Sequence, residues 1–173
     1  MNRKKFLCTE TGQFVYFKDF RSASYLFIND NGDMEYTDNG DREGGNSYSQ
    51  FCVVDMDGDG ATELILEESC SNDRVLLHYE DGVVYGFVFP LRGMNGPKTD
   101  ASFVSSGGAG LNEVLKIQRF SKGKVIFDEL CCQDGIDNVY RIDGKGVGSE
   151  EAQSYIGMQF TKTDVEWHLY NWD

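Results

Sequence analysis

Residues 55–63 read Asp55-Met56-Asp57-Gly58-Asp59-Gly60-Ala61-Thr62-Glu63, so four carboxylates fall within nine positions. A glycine follows the second and the third aspartate, where a chain carrying alternate charged side chains has to curl. Apolar runs flank the segment, Gln50-Phe51-Cys52-Val53-Val54 before it and Leu64-Ile65-Leu66 after it. Both runs have the β-branched and aromatic content of strands. The segment therefore folds as a tight loop closing a β-hairpin over about residues 50–67.

Asp and Gly are also ordinary turn formers, and a solvated turn would use the same residues. Gathered carboxylates, however, repel one another unless a counter-charge joins them. A hard cation such as Ca2+ takes about six to eight oxygens at ~2.3–2.6 Å, which alternate aspartates on a curled chain can supply. The expected ligands are Asp55, Asp57 and Asp59, the carbonyl of Ala61, and Glu63, directly or through water. Mg2+ is the second candidate, because it demands stricter octahedral geometry and keeps more of its waters. The twelve-residue EF-hand loop needs a bidentate Glu at its last position, where this chain has Leu66. The loop is not an EF-hand.

The rest of the chain reads as a mainly β, single domain over residues 1–173, an antiparallel meander of hairpins with one short C-terminal helix. Strands are expected at 13–20, 25–28, 74–79, 83–89, 114–120, 124–130 and 138–142, with turns at Glu80-Asp81-Gly82, Ser121-Lys122-Gly123 and Asp143-Gly144-Lys145. Asp30-Asn31-Gly32-Asp33 and Asp38-Asn39-Gly40-Asp41 read as tight turns rather than metal loops, since neither has glycine directly after its third acidic position. Residues 93–98 and 105–110 read as loops, and Ser106-Gly107-Gly108-Ala109-Gly110 lacks the Lys of a phosphate cradle. Ser149 is expected to cap a helix over about 149–160 that lays Ala152, Tyr155, Ile156 and Phe160 on the sheet. The segment 164–170 alternates polar and apolar residues and is expected to form a last strand.

Charge narrows the partners. Acidic residues outnumber basic ones 29 to 16 over the 173 residues, for a net −13. Such a surface repels phosphate backbones and anionic headgroups, so no nucleic acid is expected, and a protein or carbohydrate partner fits better. No apolar run reaches the ~20 residues of a membrane span. Basic Met1-Asn2-Arg3-Lys4-Lys5 is followed by polar Thr9-Glu10-Thr11 rather than an apolar core. Two placements stay open, cytoplasmic, or extracellular at the cell surface with a leader outside this sequence. Five cysteines without a C-x-x-C pair read as free thiols, and a bridge between Cys52 and Cys70 is not favoured.

Catalytic signatures are few. His78 and His168 are the only imidazoles and both read as partly exposed strand residues. Zinc hydrolase and Gly-x-Ser-x-Gly motifs are missing. Cys131-Cys132 lies in a sheet pattern, where thiols are usually inert. A hydrolase with an acidic cleft and a cytosolic regulatory protein are the alternatives to a binding module.

The pattern Phe51-x-x-x-Asp55-x-Asp57-Gly58-Asp59-Gly60-x-x-Glu63-Leu64 resembles the FG-GAP, or VCBS-type, repeats of integrin-like β-propellers. That resemblance implies a loop between strands of a blade, with a structural calcium held by Asp55, Asp57, Asp59, the Ala61 carbonyl and Glu63. The loop hairpin, the segment 78–86 and the ending 140–151 are similar to bacterial surface or lipoprotein-like proteins of unassigned function. With one complete loop, one or two blade-like meanders are expected rather than a closed propeller.

Overall fold

A computed structural model describes residues 4–16, 26–28, 34–36, 48–68, 73–108 and 110–169. The strands are β1 (Lys5–Cys8), β2 (Gln13–Tyr16), β3 (Leu26–Ile28), β4 (Met34–Tyr36), β5 (Tyr48–Val54), β6 (Glu63–Glu68), β7 (Arg74–Glu80) and β8 (Val83–Phe89). They continue with β9 (Ser102–Gly108), β10 (Leu111–Ser121), β11 (Lys124–Asp134), β12 (Val139–Ile142) and β13 (Lys145–Gly146). Helix α1 (Ser149–Gln159) and strand β14 (His168–Leu169) complete the order. The chain is mainly β with one short helix, as its composition predicts.

Two sheets carry the fold. The first has the order β14-β5-β6-β7-β8-β1-β2 and the second β13-β12-β11-β10-β9, while β3 and β4 form a separate antiparallel pair. Neighbours are antiparallel except β1 and β8, which run parallel. That long-range pairing departs from a pure meander. Both sheets are open among the described residues.

Alternation explains why apolar runs such as Leu64-Ile65-Leu66 are continuous. Successive strand residues face opposite sides, and here both sides are buried. The row Cys52, Ile65, Leu76 and Phe87, paired across β5 to β8, enters a core shared with Phe103, Ile117 and Phe120 of the second sheet. The neighbouring row of Phe51, Leu66, Val75 and Val88 faces a different cluster with Phe6, Cys8 and Tyr48. Gly86 makes that second cluster possible, since a Cβ there would lie 2.3 Å from the Phe6 ring. Likewise Phe103 joins the shared core, while the next residue, Val104, packs with Val114, Cys131, Ala152 and Ile156 under the helix.

The helix differs from expectation at both ends. Ser149 is its first residue and Gly148 its N-cap, with no side-chain cap bond; Glu150 and Glu151 still complement the helix dipole. Phe160 is 64 % exposed and Gln159 is buried in its place. The reason is a polar tie: Gln159 Nε2 donates to Ser102 Oγ at 2.7 Å, fixing the face that α1 turns to β9. The stretch read as a loop at 105–110 is largely strand, because pairing with β10 along Asn112↔Ser106 and Glu113↔Ser105 overrides its Ser and Gly content. Strand β14 replaces the longer strand expected at 164–170.

Four described cysteines, Cys8, Cys52, Cys131 and Cys132, are free and buried. Cys52 faces Ile65 across its hairpin. Cys70, both Asn-Gly turns and the expected strand residues 17–20 lie outside the described residues. No helix among the described residues is long and apolar enough to cross a membrane.

Candidate metal centre

The β5–β6 hairpin pairs Val54 with Glu63, so the carboxylate loop hangs from the last rung of its ladder. Inside the loop the aspartates hold the backbone curled. Asp55 Oδ1 accepts the Gly58 N–H at 2.7 Å and its Oδ2 accepts the Gly60 N–H at 3.0 Å. Asp57 Oδ1 accepts from Asp59 N–H at 3.3 Å, and Asp59 Oδ1 from Ala61 N–H at 2.7 Å. Gly58 and Gly60 sit at φ 79° and 89°, a left-handed conformation that L side chains rarely adopt. Met56, fully buried in the shared core, pins the loop to the domain between two outward aspartates.

Ligand atoms of Asp55, Asp57 and Glu63 lie within 4.8 Å of one another, an arrangement that could hold a metal ion. Asp59 and Ala61 are exposed and outside that group of three. Glu63 is 2 % exposed. Its Oε2 accepts the Met56 N–H at 2.8 Å and its Oε1 meets His78 Nδ1 at 3.0 Å. Burial raises the Glu63 pKa above its ordinary range; the bonds from His78 and Met56 pull it back, and the charge of Asp57 pushes it up again.

His78 is the residue that sequence reasoning placed wrongly. It is buried, not partly exposed. Register explains its position: Leu64 pairs with Leu77, so one step further brings Glu63 opposite His78. The imidazole stacks on Phe120 of β10 with centroids 4.1 Å apart and planes at 16°. Phe120 in turn directs its N–H to Asp57 Oδ2 at 3.4 Å. His168, by contrast, is an exposed strand residue on β14, its ring 5.3 Å from that of Phe51.

A second group, Glu113, Glu129 and Cys132, is equally close-set. It carries its own counter-charge. Arg141 clasps Glu129 through two bonds, Nε to Oε1 at 2.9 Å and Nη2 to Oε2 at 2.8 Å. Cys132 is buried and its thiol pKa is raised by burial, as is that of Cys131, which is pushed up to about 11. These thiols stay protonated and unreactive at neutral pH. Among the described residues no Lys or Arg forms an ion pair with Asp55, Asp57, Asp59 or Glu63.

Compared with known proteins, the chain matches no family model, no curated protein and no solved structure. The reading of the site therefore rests on the geometry of its own residues.

Proposed function

We propose that the Asp55–Glu63 loop binds Ca2+ as a structural ion within a binding or interaction module of a bacterial surface protein. The observation that carries this reading is the convergence of Asp55, Asp57 and Glu63 within 4.8 Å without a Lys or Arg among the described residues to neutralise them. The Glu113 group differs in that Arg141 pairs with Glu129 there. A bound cation would relieve the repulsion at the loop and is drawn by it. Asp55, Asp57 and Glu63 would hold the ion, with Asp59 and the Ala61 carbonyl completing the set as the loop tightens. Calcium suits an oxygen-only, flexible loop better than Mg2+.

The meander β5-β6-β7-β8, with the loop between its first two strands, supports the FG-GAP-like blade reading. A protein or carbohydrate is the partner class that fits a chain of net charge −13. Because the ion joins only the folded loop, its binding energy adds to folding energy. Thermal unfolding in calcium and in chelator tests this. A higher midpoint in calcium is expected, and an unchanged midpoint would overturn the reading.

A further inference from the structure

We propose that the loop is a clamp: filling it with calcium docks the β10–β11 hairpin on the first sheet, with His78 and Phe120 as positioning residues that carry the effect. The inference rests on the calcium reading of the loop and extends it to a part of the molecule that holds no ligand.

The β10–β11 hairpin outgrows its own sheet. β10 pairs with β9 only as far as Lys116, and β11 pairs with β12 only from Cys131 onward. Between them, Ile117 to Phe127 is a two-stranded arm whose strands, among the described residues, pair with each other alone, closing at Lys122 and Gly123. Two strands by themselves are marginally stable in water. The described arm is held by the shared core and by ring contacts of Phe120 and Phe127 with both sheets.

Two of those contacts, both at Phe120, lead to the loop. Phe120 stacks on His78, packs its ring 5.4 Å from that of Phe87, and points its N–H at Asp57. The turn adds a bond from Lys122 N–H to Glu80 Oε2 at 2.5 Å. Gly123 lies so close to Tyr85 that a Cβ would come within 3.0 Å of that ring. Two routes thus join the carboxylates to one residue of the arm. Asp57 reaches the Phe120 backbone directly, and Glu63 reaches its ring through His78.

Without an ion, Asp57 is one of three mutually repelling carboxylates, and its bond to Phe120 is long at 3.4 Å. An ion at their centre fixes Asp57 and Glu63 in place, which orients the acceptor for the Phe120 amide and the imidazole beneath the Phe120 ring. Linkage requires the converse as well. The docked arm must raise calcium affinity by the same factor by which calcium favours docking.

Amide hydrogen exchange on the full chain, in chelator and in saturating calcium, tests the clamp. Amides from Arg119 to Val125 are expected to slow at least about fivefold more than those of the β9–β12 part of the second sheet, the low end of usual coupling. Phe120→Leu removes the ring stack without touching a carboxylate; it should abolish this local slowing and weaken calcium affinity by a like factor. Phe120→Tyr, which keeps the ring, should restore both. If Phe120→Leu does not fold, Glu80→Ala removes the Lys122 acceptor instead and should halve the local effect or more. Calcium binding with uniform slowing across both sheets, or wild-type affinity in Phe120→Leu, overturns the clamp and leaves the calcium site standing. No calcium binding at all overturns both.

Discussion

Replacing Glu63 with Gln separates charge from shape at the buried end of the loop. Gln keeps an oxygen for the Met56 N–H, and its amide can donate to His78 Nδ1 once the imidazole carries its proton on Nε2. Both hydrogen bonds survive while the charge is lost. Burial raises the Glu63 pKa in the folded state above its ordinary 4.5. Stability from this group is thus fullest below that ordinary value and is lost as pH rises through the folded pKa. Ionisation of Glu63 thus works against the calcium-free fold.

The size of the effect follows from the separation of the carboxylates. At 4.8 Å, the outer limit of their separation, each repelling pair costs about 1 kcal/mol under water-like screening and about 3 kcal/mol at the effective dielectric of a protein surface. Asp55 and Asp57 are partly exposed, so the lower figure governs, and the lost attraction to His78 offsets part of the gain. Glu63→Gln should therefore be about 1 kcal/mol more stable than wild type in chelator, a midpoint rise of about 2–4 °C for a chain of this size. In calcium at about a hundred times Kd the wild type gains about 2.7 kcal/mol. A variant binding tenfold or more weakly forfeits at least about 1.4 kcal/mol of that. Calorimetry in chelator and in calcium should show the two proteins exchanging rank. A variant less stable than wild type in both buffers by the same amount would show Glu63 to be a structural partner of His78 and nothing more.

Two other substitutions probe the frame around the site. Gly86→Ala places a methyl against the Phe6 ring, 2.3 Å away, and should cost about 1–3 kcal/mol in denaturant unfolding; combined with Phe6→Ala, the penalty should fall well short of the sum of the single changes. At Asp100, burial acts to raise the pKa but is outweighed by hydrogen bonds from Lys162 and Ser102, which bring it down to about 2. Its contribution is present above the ordinary 3.8 and disappears as pH falls through about 2. Asp100→Asn should accordingly flatten the acid limb of the stability profile between those values, and a steepness equal to wild type would refute the assignment.

The loop and its hairpin were legible because their signals are local: charge spacing, glycines at the bends and apolar runs at both ends. The β5–β6 pairing follows directly from that pattern. What stayed hidden depends on distant partners. His78 reaches Glu63 only through the β6–β7 register, and nothing near it in sequence distinguishes a buried histidine from an exposed one. The strand character of Ser102–Gly108 comes from β10, and the parallel β1–β8 pairing joins segments far apart in the chain. Gln159 displaces Phe160 from the buried face for one polar contact with Ser102 that periodicity does not encode. The link from Phe120 to the loop depends on the core that the two sheets share.

Isothermal titration with calcium, on wild type and on an Asp55→Asn, Asp57→Asn double variant, addresses the metal centre most directly. One equivalent per chain is predicted, with a Kd of about 10−4–10−3 M, the range of extracellular calcium modules. The double variant should show no binding while remaining folded in chelator. Equal binding by both proteins, or no binding by wild type at about ten times that Kd range, would contradict the assignment of Asp55, Asp57 and Glu63 as a calcium site.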